Sequence, residues 1–354
     1  MTVTTTSYLP HRLRNIFVDF PSESLFTTAA YLEPLEQPGC ADAAAGWLPQ
    51  HLVLPQGRAP VYLKTHSWGE FVFDFAIARA YEQHGLPYYP KLVSCVPFTP
   101  VPGPRLLAAD DAGRRVLAQA LMEQARAQHC SSAHVLYLPE DEAALLVPLG
   151  WLRRVQPRYL WRNAGYAEFE DFLGALNAKQ RKNLRRERRL VQDSGLAIEW
   201  RTAAEVTEKE WPLLHALYAS TYHARGQPPY LTPACLRQWG RNFGSRMLFC
   251  MAREQGELSA MAFFFRDGDA LYGRHWGARA HYDSLHFELC YYRGIEYCIE
   301  HRLALFDAGV QGEHKLTRGF VTEAAHSAHW FAHSAFRAPV ARWFEEERRV
   351  LSGG

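Results

Sequence analysis

Residues 257–309 read ELSAMAFFFRDGDALYGRHWGARAHYDSLHFELCYYRGIEYCIEHRLALFDAG. Two apolar runs, Glu257 to Phe265 and Ala270 to Trp276, flank Arg266-Asp267-Gly268-Asp269, and an Asp-Gly step between two such runs is a strong hairpin signal. Leu285 to His301 then changes period. At 100° per residue Leu285, Leu289, Tyr292, Ile295 and Ile299 form one apolar stripe, which predicts a helix. Leu303 to Phe306 is a short apolar run closed by Asp307-Ala308-Gly309, which predicts a strand. Hairpin, helix and strand in succession make this an α/β segment.

Upstream, Ala197 to Arg201 and Leu248 to Arg253 read as strands around a helix from Glu208 to His223. The first half has a similar order. Leu52 to Leu54 and Pro60 to Lys64 are expected to pair across Pro55-Gln56-Gly57-Arg58. Phe71 to Phe75 reads as a strand running into a helix, Ala76 to His84, that Gly85 closes. Strands at Leu92 to Phe98, Ala133 to Leu138 and Arg158 to Trp161 surround a helix from Arg114 to His129, and Pro139 to Glu142 starts another. One long helix is expected over 169–193. The order predicts two α/β domains, 1–162 and 163–354, each a mixed central sheet flanked by helices, the second opening on linker helix 169–193.

The 354 residues suit two domains rather than one. A hydrophobic share of 48% with 21% charge excludes a disordered chain. Seven cysteines, an odd number with no CxxC, read as reduced thiols of a cytoplasmic protein. The N-terminus MTVTTTSYLPHRLRN lacks the apolar core of a signal peptide, and no run reaches transmembrane length. Net charge is only +2, yet Lys179 to Arg189 holds seven basic residues and one Glu. Its charges surround the whole helix. A solvated interdomain helix is one reading, and contact with RNA or an anionic membrane surface is the other.

Chemistry concentrates in three places. Glu288 falls inside the apolar stripe of 285–301, where desolvation raises a carboxyl pKa toward that of a general base. A favourable placement at the helix N-terminus, or an ion pair with an arginine, is the structural alternative. Glu296 falls in the same stripe. Gln311-Gly312-Glu313-His314-Lys315-Leu316-Thr317-Arg318 follows the last core strand, where Lys315 and Arg318 are suited to a phosphate or carboxylate and Glu313 or His314 to proton transfer. His326, His329 and His333, at i, i+3 and i+7, would share one helix face; zinc is one reading and packing with Trp330 and Phe331 the other. No metal site is expected.

Several strings together resemble the FemAB-like peptidoglycan biosynthesis/recognition family, a bacterial branch of the GNAT superfamily. They are YLKTHSWGEFVFDFA (62–76), YYPKLVSCVPFTPVPGPRLL (88–107), KQRKNLRRERR (179–189), LYGRHWG (271–277), LHFELCYYRGIEYCIEH (285–301) and QGEHKLTRGF (311–320). The resemblance implies tandem GNAT-like domains, transfer of an acyl or aminoacyl group to an amine, and a cleft between the domains. No tightly bound cofactor is implied; acyl-CoA, acyl carrier protein or aminoacyl-tRNA would be the co-substrate. A cell-wall precursor, peptide or lipid amine would be the acceptor. The string Arg274-His275-Trp276-Gly277-Ala278-Arg279 departs from a GNAT pyrophosphate loop at its last position.

On this reading Glu288 is the base, with His286 or His275 assisting. Tyr291 or Tyr292 protonates the leaving group, and backbone amides around Arg274 to Trp276 hold the oxyanion. Ser67, Trp68, Glu70, Tyr89 and Lys91 line the acceptor cleft. The competing reading is a non-catalytic module that binds a peptidoglycan precursor or peptide in a degenerate GNAT cleft.

Overall fold

The computed structural model describes residues 24–353. The N-terminal stretch MTVTTTSYLPHRLRN lies outside them. Fourteen strands are present among these residues: β1 Trp47–Pro49, β2 Leu52–Leu54, β3 Gly57–Ala59, β4 Val61–Lys64, β5 Lys91–Ser94, β6 Leu107–Ala108, β7 Ser132–Leu138, β8 Leu152–Arg162, β9 Ala197–Thr202, β10 Met247–Glu254, β11 Glu257–Asp267, β12 Ala270–Ala278, β13 Leu305–Asp307 and β14 Val321–Phe331. Helices α1 Ala29–Leu35, α2 Phe75–Gln83, α3 Asp111–Ala127, α4 Glu140–Leu146, α5 Phe169–Ala175, α6 Ala178–Asp193, α7 Glu210–His223 and α8 Pro233–Phe243 follow, then α9 Leu285–Phe287, α10 Arg293–Glu300 and α11 Ser334–Gly353.

One 11-stranded mixed sheet runs β1-β4-β5-β7-β14-β8-β13-β12-β11-β10-β9, and β2-β3-β6 form a small second sheet. The mixed α/β class read from the sequence is therefore the observed one. Chain order and sheet order part company at β14. This late strand lies antiparallel between β7 and β8, so a segment C-terminal to residue 162 completes the sheet of the first half.

Strand periodicity explains why helices cover both faces. In β10 and β11 the alternate residues Met247, Phe249, Met251, Met261, Phe263 and Phe265 enter one core, while Leu248, Cys250, Ala252, Ala260, Ala262 and Phe264 enter the core on the other side. Each buried Phe contributes about 1.5–3 kcal/mol. The first of these cores also holds α1 from the N-terminal side, where Tyr31 stacks on Trp239 of α8 at 4.5 Å.

Several expected elements differ. Phe71 to Asp74 is an irregular loop that leads into α2, and Phe71 adopts a left-handed φ of 59°, outside regular strand geometry. Pro60 splits the first hairpin: β2 pairs with β3, whereas β4 joins the large sheet beside β1 and β5. The long helix over 169–193 is two helices, because Asn177 breaks the chain and caps α6 through Gln180 N–H. The helix over 285–301 contains a π-helical turn at Glu288–Tyr292. His326 and His329 lie on strand β14, not on a helix, and His333 lies beyond its end. Among the described residues no group of three or more His, Cys, Asp or Glu is placed to hold a metal ion, and no helix is long and apolar enough to cross a membrane.

Candidate active site

Lys64 and Lys91 face each other as register partners in the β4–β5 ladder, and both are 0% exposed. Two directly opposed lysines inside apolar runs repel each other unless anions stand between or beside them. The loop after β4 supplies the anions. Lys91 Nζ donates to Glu70 Oε2 at 2.8 Å, Asp74 Oδ2 at 2.5 Å and Ser67 Oγ at 2.8 Å. Lys64 Nζ sits 3.5 Å above the Trp47 ring and donates to Trp68 O at 3.3 Å.

Loop geometry holds these groups in register. Gly69 has φ 83°, and a Cβ there would lie 2.7 Å from the Phe98 ring. Phe98 N–H donates to Gly69 O, Tyr137 OH to Phe71 O, and Arg154 Nη1 to Phe73 O. Phe71, Phe98 and Tyr137 all have left-handed backbones, with φ near 60°. Tyr137 is the extra residue of a bulge opposite His326 and Ser327. Phe71, Phe98 and Tyr137 come from different segments and meet around the loop after β4, and strained backbone of this kind clusters at functional sites.

Burial sets the electrostatics. Glu70 is pushed up to about 7 by burial, with Lys91 opposing. Lys64 is pushed down to about 7 by burial, with Glu70 opposing. Burial would also raise Asp74, but Lys91 holds it at about 2. Lys91 is raised, because Asp74 and Glu70 together outweigh its burial. Asp74 and Lys91 therefore form a fixed ion pair, whereas Glu70 and Lys64 change charge near neutrality, a pattern suited to proton transfer. Glu70 Oε1 and Asp74 Oδ1 are buried without a hydrogen-bond partner.

The cluster lies behind an open cavity of about 820 Å³ whose wall includes Trp68, Phe75, Leu86, Tyr88 and Tyr89. Two wall residues reach inward: Tyr89 OH meets Ser67 Oγ at 2.8 Å, and Tyr88 OH donates to Asp74 Oδ2 at 2.6 Å. Tyr88 OH also approaches His134 Nε2 at 3.3 Å, and His134 Nδ1 meets His329 Nδ1 at 2.7 Å. Burial lowers both imidazoles, His134 to about 3, so each is neutral. His329 Nε2 meets Ser327 Oγ at 2.8 Å. Ser327 lines a second cavity of about 170 Å³ with Phe71, Val72, Phe73, Tyr137 and Gln311. The loop that carries Glu70 thus separates the two cavities.

The expected catalytic groups at 275–292 are arranged differently. Glu288 is 3% exposed, and Arg293 Nε at 2.9 Å and Arg188 Nη2 at 3.2 Å hold its carboxylate. Burial raises its pKa and the two guanidiniums oppose that rise. No residue of 285–301 lines either cavity, whereas Glu70, itself behind the walls, has loop neighbours Trp68, Phe71, Val72 and Phe73 in them. Glu296 shares the same two arginines. His275 packs against Tyr218 and Phe263, in the core across the sheet from Glu288, so the two are not brought together. His286 is held in an aromatic cage of Trp276, Phe287 and Tyr291, and burial lowers it to about 4. Tyr292 OH donates to Glu187 and accepts from Arg318 Nε. The four do not form one constellation.

The 311–318 segment is also internally committed. Lys315 Nζ donates to Gly309 O and Gln311 O, and burial lowers its pKa to about 8. Arg318 pairs with Glu187 at 2.9 Å and stacks on Phe287 at 3.6 Å. His314 Nε2 meets Tyr291 OH at 2.9 Å, and Glu313 is exposed at the start of the turn. Gln311 alone of this group reaches a cavity.

Helix α6 sorts its charge rather than spreading it. Arg181 caps the C-terminal carbonyls of α5, and Arg188 is committed to Glu288 and Glu296. Lys179, Lys182, Arg186 and Arg189 stay exposed at i, i+3, i+7 and i+10, a single face.

Of the site residues, sequence reading missed Lys64, Asp74, Tyr88 and His134, and it noticed His329 only as part of a helical histidine face, whereas that residue lies on β14. The usable signal was a lysine at the end of one apolar strand, Val61–Lys64, and at the start of another, Lys91–Ser94.

A sequence model of the FemAB-like family, described as peptidoglycan biosynthesis/recognition, matches residues 11–353. The chain belongs to the FemAB-like family. A comparison with curated protein sequences gave no significant match. Among solved structures, FemX superposes with a TM-score of 0.54 at 10% identity, covering 95% of this chain and 99% of FemX. L-PGS from Bacillus licheniformis gives 0.56 at 11%, covering 94% and 96%. The C-terminal domain of a putative lysylphosphatidylglycerol synthetase from Agrobacterium fabrum gives 0.52 at 11%, covering 71% and 80%. At these identities the FemAB-like chain shares a fold with them.

Proposed function

We propose that this FemAB-like protein is an N-acyltransferase that moves an acyl or aminoacyl group from an activated donor to an amine, with Glu70 as general base. The observation that carries the reading is Glu70 itself: a buried carboxyl near pKa 7, one oxygen unpartnered, on the loop between two cavities. An ammonium must lose a proton before it can attack a carbonyl, and a base poised near neutral pH accepts that proton most effectively. The freed nitrogen forms a C–N bond to the donor carbonyl while the donor's C–O or C–S bond breaks. The nitrogen gives up two protons in all, one to Glu70 before attack and one as the tetrahedral adduct collapses; one of them leaves on the departing hydroxyl or thiol and the other passes to solvent.

The acceptor enters through the larger cavity, and the donor carbonyl is presented from the smaller one beside Tyr137 and Gln311. Ser67, Trp68, Tyr89 and Lys91 keep their role at the acceptor. The ion pairs of Glu288 favour a structural part for that residue. The donor is acyl-CoA, acyl carrier protein or aminoacyl-tRNA, and the family's link to peptidoglycan supports a cell-wall amine among the acceptors. The test offers each labelled donor with a panel of amines. Glu70→Gln should lower transfer by about 100-fold or more; a variant as active as the parent with any productive pair refutes the assignment.

A further inference from the structure

The larger cavity has a chemistry of its own. Four aromatic rings line it: Trp68, Phe75, Tyr88 and Tyr89. Trp68 and Phe75 lie 5.3 Å apart, Tyr88 and Tyr89 5.1 Å apart. Ala78, Leu86 and Pro87 fill the gaps, and the two rim charges, Arg79 and Glu82, are of opposite sign. Such walls reject a multiply charged or heavily hydrated ligand and favour an apolar body.

What lies behind the rings sets the sign of the head group. Glu70 and Asp74 each have one buried oxygen with no hydrogen-bond partner among the described residues. Asp74 stays ionised, so its free oxygen can only accept and its missing partner is a donor; the ionised form of Glu70 has the same need. Lys91 pairs with one oxygen of each carboxyl, Glu70 Oε2 and Asp74 Oδ2, which leaves Glu70 Oε1 and Asp74 Oδ1 over. Ring faces attract cations for the same electrostatic reason that carboxylates do, and aromatic cages are a recurring solution for organic ammonium ions. Lys91 Nζ already lies 5.4 Å and 5.9 Å from the Tyr88 and Tyr89 ring centres, so these two rings serve a cation here.

We infer that the cavity lined by Trp68, Phe75, Tyr88 and Tyr89 binds an organic ammonium carried on an alkyl or aryl body, and that this amine is the acyl acceptor. The last clause rests on the acyl-transfer reading; the binding site does not. A sugar nucleotide or a free carboxylate fits neither the rings nor the unpartnered acceptors.

Calorimetric titration of the full chain with decylamine, decyltrimethylammonium, decanol and decanoate tests this. The four share one chain and differ in head group, and the quaternary ammonium cannot be acylated. Decylamine should bind tightest and decyltrimethylammonium next, with decanol and decanoate at least about tenfold weaker. Trp68 is 51% exposed, so Trp68→Ala should keep the fold while weakening both ammonium ligands by about tenfold. Ala78→Trp, which narrows the cavity, should weaken decylamine and decyltrimethylammonium alike. Decanol or decanoate binding as tightly as decylamine overturns the inference, as does no binding by either ammonium or an unchanged Trp68→Ala. If decylamine binds but Glu70→Gln transfers normally, the base assignment fails and the site stands. If decylamine does not bind but Glu70→Gln is inactive, the site fails and the base stands.

Discussion

Gly277→Ala is expected to be severe although it adds one methyl group. A Cβ at Gly277 would lie 1.7 Å from Leu217 O and 2.3 Å from Leu217 C, so the backbone of α7 touches β12 directly. Relief requires α7 to retreat by roughly 1.5 Å or more, and no flexible side chain can give way instead. The same helix donates hydroxyls to β12, Thr221 Oγ1 to Trp276 O at 2.7 Å and Ser220 Oγ to Ala278 O at 3.2 Å. Overpacking costs about 1–3 kcal/mol, and two stretched hydrogen bonds add about 1 kcal/mol each. A loss of about 3–5 kcal/mol is a large part of the stability of an ordinary domain, which is about 5–15 kcal/mol. Urea titration followed by circular dichroism reads it as a lower midpoint with an unchanged slope. Gly273→Ala, on the same strand, is the control: its Cβ would meet nothing closer than 3.5 Å. A Gly277→Ala unfolding free energy within about 0.5 kcal/mol of the parent's would refute the packing described for α7 and β12.

Glu288→Gln should cost about 1–3 kcal/mol by weakening the contacts to Arg188 and Arg293, yet leave transfer unaltered; paired denaturation and activity measurements separate the two effects. Stability should also carry a signature of Glu70. Its folded pKa is raised from 4.5 to about 7, so between those values the native protein holds a proton that the unfolded chain has released. The contribution is present in full below pH 4.5 and is lost as pH rises to about 7, at no more than about 1.4 kcal/mol per pH unit. Denaturation midpoints of Glu70→Gln across that range should lack this fall, and parallel profiles for parent and variant would contradict it.

Local signals carried most of the fold. The Asp-Gly hairpin step and the 3.6-residue stripe at 285–299 are properties of short windows, and β11, β12 and the helical segment follow from them. Strand β14 was not legible for the opposite reason. Its Ala- and His-rich residues have no strand periodicity, and they are extended because β7 and β8, far away in sequence, sandwich them. That placement turned a presumed helical histidine face into a neutral pair, His134 and His329, which no spacing rule links. The candidate site was half legible. Ser67, Trp68, Glu70, Tyr89 and Lys91 drew notice within their strings, but the pairing of Lys64 with Lys91 depends on strand register. Glu288 illustrates the converse: its burial was read correctly from the stripe, while Arg188, on a helix 100 residues earlier, was invisible.

The account depends most on Glu70 exchanging its proton near neutral pH. Carbon-13 NMR of protein labelled at glutamate side-chain carboxyls measures this directly, and Glu70→Gln assigns the signal against Glu142, whose carboxyl burial also raises to about 7. The account predicts one carboxyl resonance with a midpoint near 7 that is present in the parent and absent from Glu70→Gln. A Glu70 signal that titrates at the ordinary carboxylate value of about 4.3 would contradict it.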